Sequence, residues 1–301
     1  MEKQRLVLWS IFEAVGAGLR DRKVVTWAHI FGRLAEQAAV GKSLGYDFVV
    51  VDEAQDLSMP EARFLAAMVG SKPDGLFFAG DLGQRIFQQP FSWKSLGIDV
   101  RGRSNSLRIN YRTSHQIRTQ ADRLLPGIVS DVDGAQENRR GTVSLFDGPA
   151  PVIRLFKDEA AEGATVGAWI AERLREGYAP SEIGILVRSA AQAARARAAV
   201  KAAGAKAVEF DEKVKGAVGA VSISQMHLAK GLEFRAVAVI ACDDEVLPLQ
   251  ERVEAVTDEA DLVEVYETER HLLYVACTRA RDRLWVSGVM PESEFLRDVL
   301  G

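Results

Sequence analysis

The stretch Tyr46-Asp47-Phe48-Val49-Val50-Val51-Asp52-Glu53-Ala54-Gln55-Asp56 decides the fold. Phe48 to Val51 is a short, β-branched apolar run, which predicts a strand buried on both faces of a parallel sheet. The run stops at two adjacent acids, Asp52 and Glu53. Ligands of open α/β sheets bind at the carboxyl ends of strands, so acids there are placed for chemistry. One can hold Mg²⁺, directly or through water, and its neighbour can take a proton from an attacking water. A second reading is open at this point: a polar strand end whose acids cap the next turn or helix.

Upstream, residues 3–20 and 26–40 carry apolar positions at helical spacing, with Leu6, Ile11, Val15 and Leu19 in the first and Ile30, Leu34 and Ala38 in the second. Two phosphate-binding patterns fail here. Gly41-Lys42-Ser43 ends like a phosphate loop, but Glu36 stands where the first glycine belongs, and a helix precedes it instead of a strand. Gly16 and Gly18 begin a dinucleotide fingerprint that Asp21 interrupts.

Downstream, Pro60–Val69 predicts a helix and Leu76–Ala79 a second buried strand, ending at Gly80-Asp81. Leu107-Arg108-Ile109 predicts a third strand, followed by Asn110-Tyr111-Arg112 and a helix to Leu125 capped by Thr113 or Ser114. Residues 131–150 are the loosest stretch. Strand and helix then alternate: Val152–Phe156, Glu159–Glu176, Ile183–Val187, Ala190–Ala203, Ala220–Ile223, Ala236–Ala241, a helix from about Asp261 to Ala280, and Leu284–Ser287. This alternation predicts an α/β fold with parallel sheets flanked by helices.

The 301 residues leave room for about two domains. A net charge of −4 argues against coating nucleic acid through bulk charge but leaves room for a local basic groove. No apolar run approaches the roughly 18 residues of a membrane span, and the charged N-terminus does not read as a signal peptide. A cytoplasmic protein is expected, with Cys242 and Cys277 as buried free thiols in apolar stretches.

Five polar clusters follow in fixed order: Asp52-Glu53-Ala54-Gln55-Asp56, Gly80-Asp81-Leu82-Gly83-Gln84, Asn110-Tyr111-Arg112, His227-Leu228-Ala229-Lys230-Gly231-Leu232-Glu233-Phe234, and Tyr274-Val275-Ala276-Cys277-Thr278-Arg279-Ala280. Together they resemble motifs II to VI of the UvrD/Rep-like superfamily 1 helicases, over about Tyr46 to Ser287. The resemblance implies two RecA-like motor domains, with ATP between them and single-stranded DNA across their top. It also implies 3′-to-5′ movement on single strands and unwinding at duplex junctions. On that template Asp52 serves Mg²⁺ and Glu53 activates the hydrolytic water. Gln84 senses the γ-phosphate, Arg112 and Arg279 reach the phosphates, and Glu233, after Gly231, meets the ribose side of ATP. Phosphoryl transfer needs such a set, because its catalysis is mostly positioning and charge neutralisation. Arginine suits the phosphates because its planar fork donates paired hydrogen bonds and stays charged when desolvated.

Phe87, Phe91 and Trp93 follow Gln84 where the family meets the single strand, and stacking on bases and packing in a core are both open for them. His227 and Lys230 are open between strand contact and a structural loop role. Gln88-Gln89-Pro90 replaces the family's aromatic-Arg-Gly, and Leu228 replaces a frequent lysine. The family's phosphate loop is absent from the 51 residues before Asp52. The expectation is therefore an incomplete first motor domain over 1–107 and a complete second one over 108–301, with a minimal accessory insertion. The chain would be the C-terminal part of a longer helicase, inactive alone until its missing N-terminal part or a partner subunit supplies the loop. The rival expectation is a non-catalytic DNA-binding or scaffolding module that completes a partner's ATP site.

Overall fold

A computed structural model describes residues 2–41, 46–70, 72–88, 91–130, 132–134, 136–139, 141–210 and 219–300. Lys42, Ser43, Gln89 and Pro90 lie outside the described residues. The chain divides into two compact units. The first comprises Met1–Asp81, Gln88–Arg103 and Asp131–Ala135; the second comprises Leu82–Phe87, Ser104–Ser130 and Gln136–Gly301.

The first unit begins with helices α1 (Glu2–Asp21) and α2 (Trp27–Ala39). Thr26 caps α2 by accepting a hydrogen bond from the His29 amide at 3.2 Å. Strand β1 (Val49–Val51) follows, then α3 (Met59–Val69) and β2 (Leu76–Phe78). At the start of α3, the Glu61 carboxylate accepts from both the amide and the hydroxyl of Ser58, at 2.8 and 2.6 Å. The two strands pair in parallel, Val49 with Leu76 through Val51 with Phe78.

The first strand was expected to be buried on both faces and the second to be buried, and the structure corrects both. Val50 is 73% exposed and its register partner Phe77 62% exposed, with Phe48 also exposed on the chain entering β1. Side chains alternate across a pleated strand, so Val49 and Val51 turn inward while Val50 faces out. A run of valines satisfies either arrangement, so composition alone could not tell a doubly covered strand from a singly covered one.

The second unit holds strands β3 (Ile109–Asn110), β4 (Ile128–Ser130), β5 (Gln136–Asn138) and β6 (Val143–Ser144) ahead of its main sheet. β4 and β5 form an antiparallel pair, and β3 pairs with β6 in parallel. These short pairs occupy part of the stretch that the sequence leaves as loop. Helix α4 (His115–Ala121) follows Ser114, which sits at its cap without a side-chain capping bond.

The main sheet contains β7 (Val152–Phe156), β8 (Ile183–Val187), β9 (Ala207–Glu209), β10 (Val221–Gln225), β11 (Phe234–Val239) and β12 (Ala280–Val289). Their spatial order is β7-β12-β11-β8-β10-β9, with every neighbouring pair parallel. The helices of this region are α5 (Glu159–Arg175), α6 (Ala193–Ala202), α7 (Gln250–Glu254), α8 (Glu259–Thr278) and α9 (Glu294–Leu300). Alternation along the strands builds two cores. Ile183, Ile185, Val187, Ala236, Ala238 and Trp285 pack with Val166 and Ile170 of α5 and Ala196, Ala199 and Val200 of α6. Leu186, Val237, Val239, Leu284 and Val286 pack with Ile117 of α4, Leu272, Leu273 and Val275 of α8 and Leu296 of α9. The helix-flanked parallel α/β fold read from the sequence is the fold of this unit.

Several charged groups inside this unit are paired with opposite charge. Arg188, at the end of β8, grips Glu269 of α8 bidentately at 2.5 Å, and Arg252 of α7 adds a bond to the same carboxylate at 2.9 Å. Arg195 of α6 meets Glu162 of α5 and Asp243 after β11, and Glu162 accepts a further bond from the Ser287 hydroxyl at 2.7 Å. Among the described residues, no helix is long and apolar enough to cross a membrane.

Glu269 is fully buried, so Glu269→Ala strands Arg188 without its counter-charge. This substitution is expected to destabilise the second unit by about 3–5 kcal/mol, read as a lower urea midpoint. The two cysteines are buried free thiols. Burial pushes the Cys277 thiol up to about 12 and Cys242 well above its ordinary value. Because the folded pKa is raised, the unfolded chain loses these protons first as pH rises above about 8.5. Stability is expected to fall between there and pH 12 by about 1.4 kcal/mol per pH unit per thiol. Cys277→Ala should lessen that slope in alkaline denaturation curves.

Candidate functional site

The predicted residues gather in two groups, one in each unit. In the first unit, Asp52 and Glu53 follow β1 directly and are exposed. The Asp52 Oδ1 accepts a bond from the Glu53 amide at 2.8 Å. Glu53 has φ 52° and ψ 41°, the left-handed conformation that costs a non-glycine residue roughly 1–2 kcal/mol. The chain turns there into a single 3₁₀ turn, Ala54–Asp56. The turn is tied to the end of β2 by the Ala54 amide, which donates to the Ala79 carbonyl at 2.9 Å. Phe91 and Trp93 also belong to this unit. Their rings lie 4.8 Å apart, and Trp93 packs on Phe78 of β2 at 4.9 Å. Both are half-buried, so this aromatic group is packed against the strand.

In the second unit, the predicted residues meet at the amino ends of β11 and β12. Phe234 pairs with Ala280, so Glu233 and Arg279 precede neighbouring strands by one residue each. Helix α8 passes into β12 with Arg279 as its cap. The Phe234 amide donates to the Arg279 carbonyl at 3.0 Å. Gly231, at φ 80°, makes the turn that brings the chain into β11, a conformation open to glycine and strained for other residues. Arg112 arrives from the turn after β3. There the Asn110 Oδ1 accepts from the Arg112 and Thr113 amides at 2.8 and 3.2 Å, and the Ser114 amide donates to the Arg281 carbonyl at 3.1 Å. The Arg112 Nε then lies 3.0 Å from Glu233 Oε2, both side chains about half exposed. Such a pair contributes little stability and opens readily to another anion.

Arg279 is only 2% exposed. Its guanidinium donates to the Val275 carbonyl at 3.0 Å, the Leu232 carbonyl at 3.4 Å, the Thr278 hydroxyl at 3.3 Å and the Gln84 Oε1 at 3.0 Å. Lys230 donates to the Gln84 carbonyl at 2.7 Å and lies 5.7 Å from the Phe87 ring centroid. Gln84 is thus held at its side chain by Arg279 and at its backbone by Lys230. Phe87 is 52% exposed beside that lysine, while His227 is half-buried in the short turn before it. Nearby, burial works to raise the Asp282 carboxyl, but bonds from Arg281 and Arg235 hold it below the ordinary carboxylate range.

Residues 205–290 match the model of the UvrD-like helicase C-terminal domain. The chain is 31% identical over 171 residues to the ATP-dependent DNA helicase UvrD2 of Mycobacterium tuberculosis, a match covering 54% of this chain and 24% of the relative. It is 38% identical over 92 residues to the ATP-dependent DNA helicase UvrD1 of Mycobacterium leprae, covering 27% of this chain and 11% of the relative. The chain therefore spans about a quarter or less of these curated relatives. Among solved structures, it is similar to the C-terminal domain of a possible DNA helicase from Lactobacillus plantarum, at 25% identity and a TM-score of 0.44, covering 63% of this chain and 94% of that one.

The UvrD-like motifs account for most of these side chains but not for all of the geometry. Gln55, 7% exposed, lies within the Asp52–Asp56 cluster; its side chain donates to the Glu53 carboxylate and accepts from the Asp81 amide. Lys230 holding the Gln84 carbonyl was equally illegible, because 146 positions separate the two. No sequence signal pairs residues at that distance. The exposed carboxylate of Asp52 fits a Mg²⁺ that arrives with a nucleotide, since that ion takes one or two carboxylates and completes its shell with phosphate and water. No group of three or more His, Cys, Asp or Glu that could hold a metal by itself occurs among the described residues.

Glu53→Gly should relieve the left-handed strain but remove the acceptor of the buried Gln55 amide, leaving the thermal midpoint close to that of the wild type. Glu53→Val should lower the midpoint instead, because branching at Cβ worsens that conformation.

Proposed function

We propose that this chain is part of an ATP-dependent DNA motor that moves 3′ to 5′ on single strands and opens duplex junctions. In this reading Asp52 holds Mg²⁺ and Glu53 orients and deprotonates the attacking water. Bound Mg²⁺ would neutralise phosphate charge. Gln84 senses the γ-phosphate through its amide, and Arg279 fixes that amide by its 3.0 Å bond. Arg112 leaves its half-exposed pair with Glu233 to meet phosphate oxygens, and Glu233, beyond the Gly231 turn, then serves the ribose side. The observation that carries the reading is the gathering of Gln84, Arg112, Glu233 and Arg279 at the amino ends of two adjacent strands. A purely structural protein has no need of that set.

Lys230 and Phe87 supply the strand contact. The ammonium suits a phosphate, and an exposed ring suits a base, with stacking contributing about 1–3 kcal/mol. Phe87→Ala is expected to weaken oligothymidylate binding by that amount in fluorescence anisotropy. Phe91→Ala should weaken it far less, because the Phe91 ring is packed on Trp93.

A second reading has its own support. The sequence contains no phosphate-loop pattern, whose amides and lysine anchor the β- and γ-phosphates. A DNA-binding module that completes a partner's ATP site needs no such loop. ATP turnover by this chain, with and without single-stranded DNA and beside Glu53→Gln, tests this directly. Negligible turnover in both conditions is expected. Mg²⁺-dependent, DNA-stimulated turnover that vanishes in Glu53→Gln would show that the chain anchors ATP by itself.

A further inference from the structure

The side chain of Gln55 joins the ends of the two strands of the first unit. Its Nε2 donates to Glu53 Oε2, and its Oε1 accepts from the Asp81 amide at 3.0 Å. The second bond settles the orientation of the amide group. A backbone N–H can face only the oxygen, so the nitrogen must face the carboxylate. The surroundings are built for this approach. A Cβ at Gly80 would collide with the Gln55 Oε1 and lie 3.3 Å from the Ala54 and Gln55 amides. The Ala79 amide, donating to the Val51 carbonyl at 2.8 Å, keeps the same two strand ends together.

We infer that Gln55 is a positioning residue for Glu53, pinning its carboxylate against the paired ends of β1 and β2. Glu53 is exposed, and an exposed glutamate left to itself exchanges rotamers within nanoseconds. A carboxylate pinned at one oxygen presents the other in a fixed direction, as activation of a water requires. Glutamine is the residue for this task because its amide donates on one side and accepts on the other. Glutamate at position 55 would face a like charge. Leucine would leave the Asp81 amide and the Glu53 carboxylate without this partner. The proposal rests on reading Glu53 as the water-activating group.

The test uses the ¹⁵N-labelled full chain and reads two nuclear magnetic resonance signals that need no turnover. The first is the Gln55 side-chain amide, assigned by its absence from Gln55→Leu. It is expected away from the solvent-exposed glutamine position in the wild type, to return toward it in Glu53→Gln, and to stay in place in Asp52→Asn. The second is hydrogen exchange at the Asp81 amide, expected to speed up roughly tenfold in Gln55→Leu and to be unchanged in Glu53→Gln. Gly80→Ala should move the Gln55 signal without altering any charge, and it carries the test if Gln55→Leu fails to fold. A Gln55 amide signal identical in the wild type and Glu53→Gln would overturn the proposal, leaving Gln55 as a tie between strand ends. Unchanged Asp81 exchange in Gln55→Leu would overturn it as well. If the amide signal responds as expected but turnover of an ATP-competent assembly survives Glu53→Gln, the role assigned to Glu53 fails and the pinning stands.

Discussion

The parallel pairing of β11 with β12 is the constraint on which the second unit depends. Phe234 stands opposite Ala280, and this register sets Glu233 and Arg279 side by side at the strand starts. Because α8 enters β12 without a loop, the last turn of the helix delivers Arg279 directly to the sheet edge. A slip of one residue would turn Leu284, Trp285 and Val286 to the wrong faces, so both cores enforce the register. The position of the candidate site is therefore a consequence of core packing.

Charge inside the unit is handled in two ways. Arg188 and Arg195 are buried against carboxylates, in ion pairs that link helices to strand ends. Removing either partner would leave a buried charge uncompensated, so these pairs lock α5, α6 and α8 onto the sheet. Arg279 is as deeply buried, yet its donors meet backbone carbonyls, a hydroxyl and the amide oxygen of Gln84. Those oxygens hold the guanidinium in place at the start of β12.

Among the described residues of the first unit, three non-glycine residues, Lys23, Glu53 and Asp74, have left-handed φ, and Glu53 is the one beside the candidate site. Glu53 adopts a left-handed backbone conformation at the end of β1, and Gln55 and Gly80 complete the local fit around it. Strain at a carboxylate, held by a buried amide and a glycine that leaves room for it, is the pattern of a site that sacrifices stability for geometry.

The sequence by itself determined the alternation of strands and helices, because period-2 and period-3.6 apolar patterns are local properties. It also determined which residue types stand at the ends of those elements, from Asp52-Glu53 to Arg279. It could not determine which strands are covered on both faces, since Val49, Val50 and Val51 are identical in composition but Val50 alone turns outward. Strand β12 runs from Ala280 where only Leu284–Ser287 was legible, because Arg281, Asp282 and Arg283 are polar and enter the strand only through pairing with their neighbours. Strands β4, β5 and β6 escaped because two or three residues carry no periodicity, while β3 overlaps the predicted strand 107–109 at Ile109. Contacts such as Lys230 to Gln84 and Gln55 to Asp81 were decided by tertiary structure alone. They join residues far apart in the chain, and only the folded sheet brings donor and acceptor within reach.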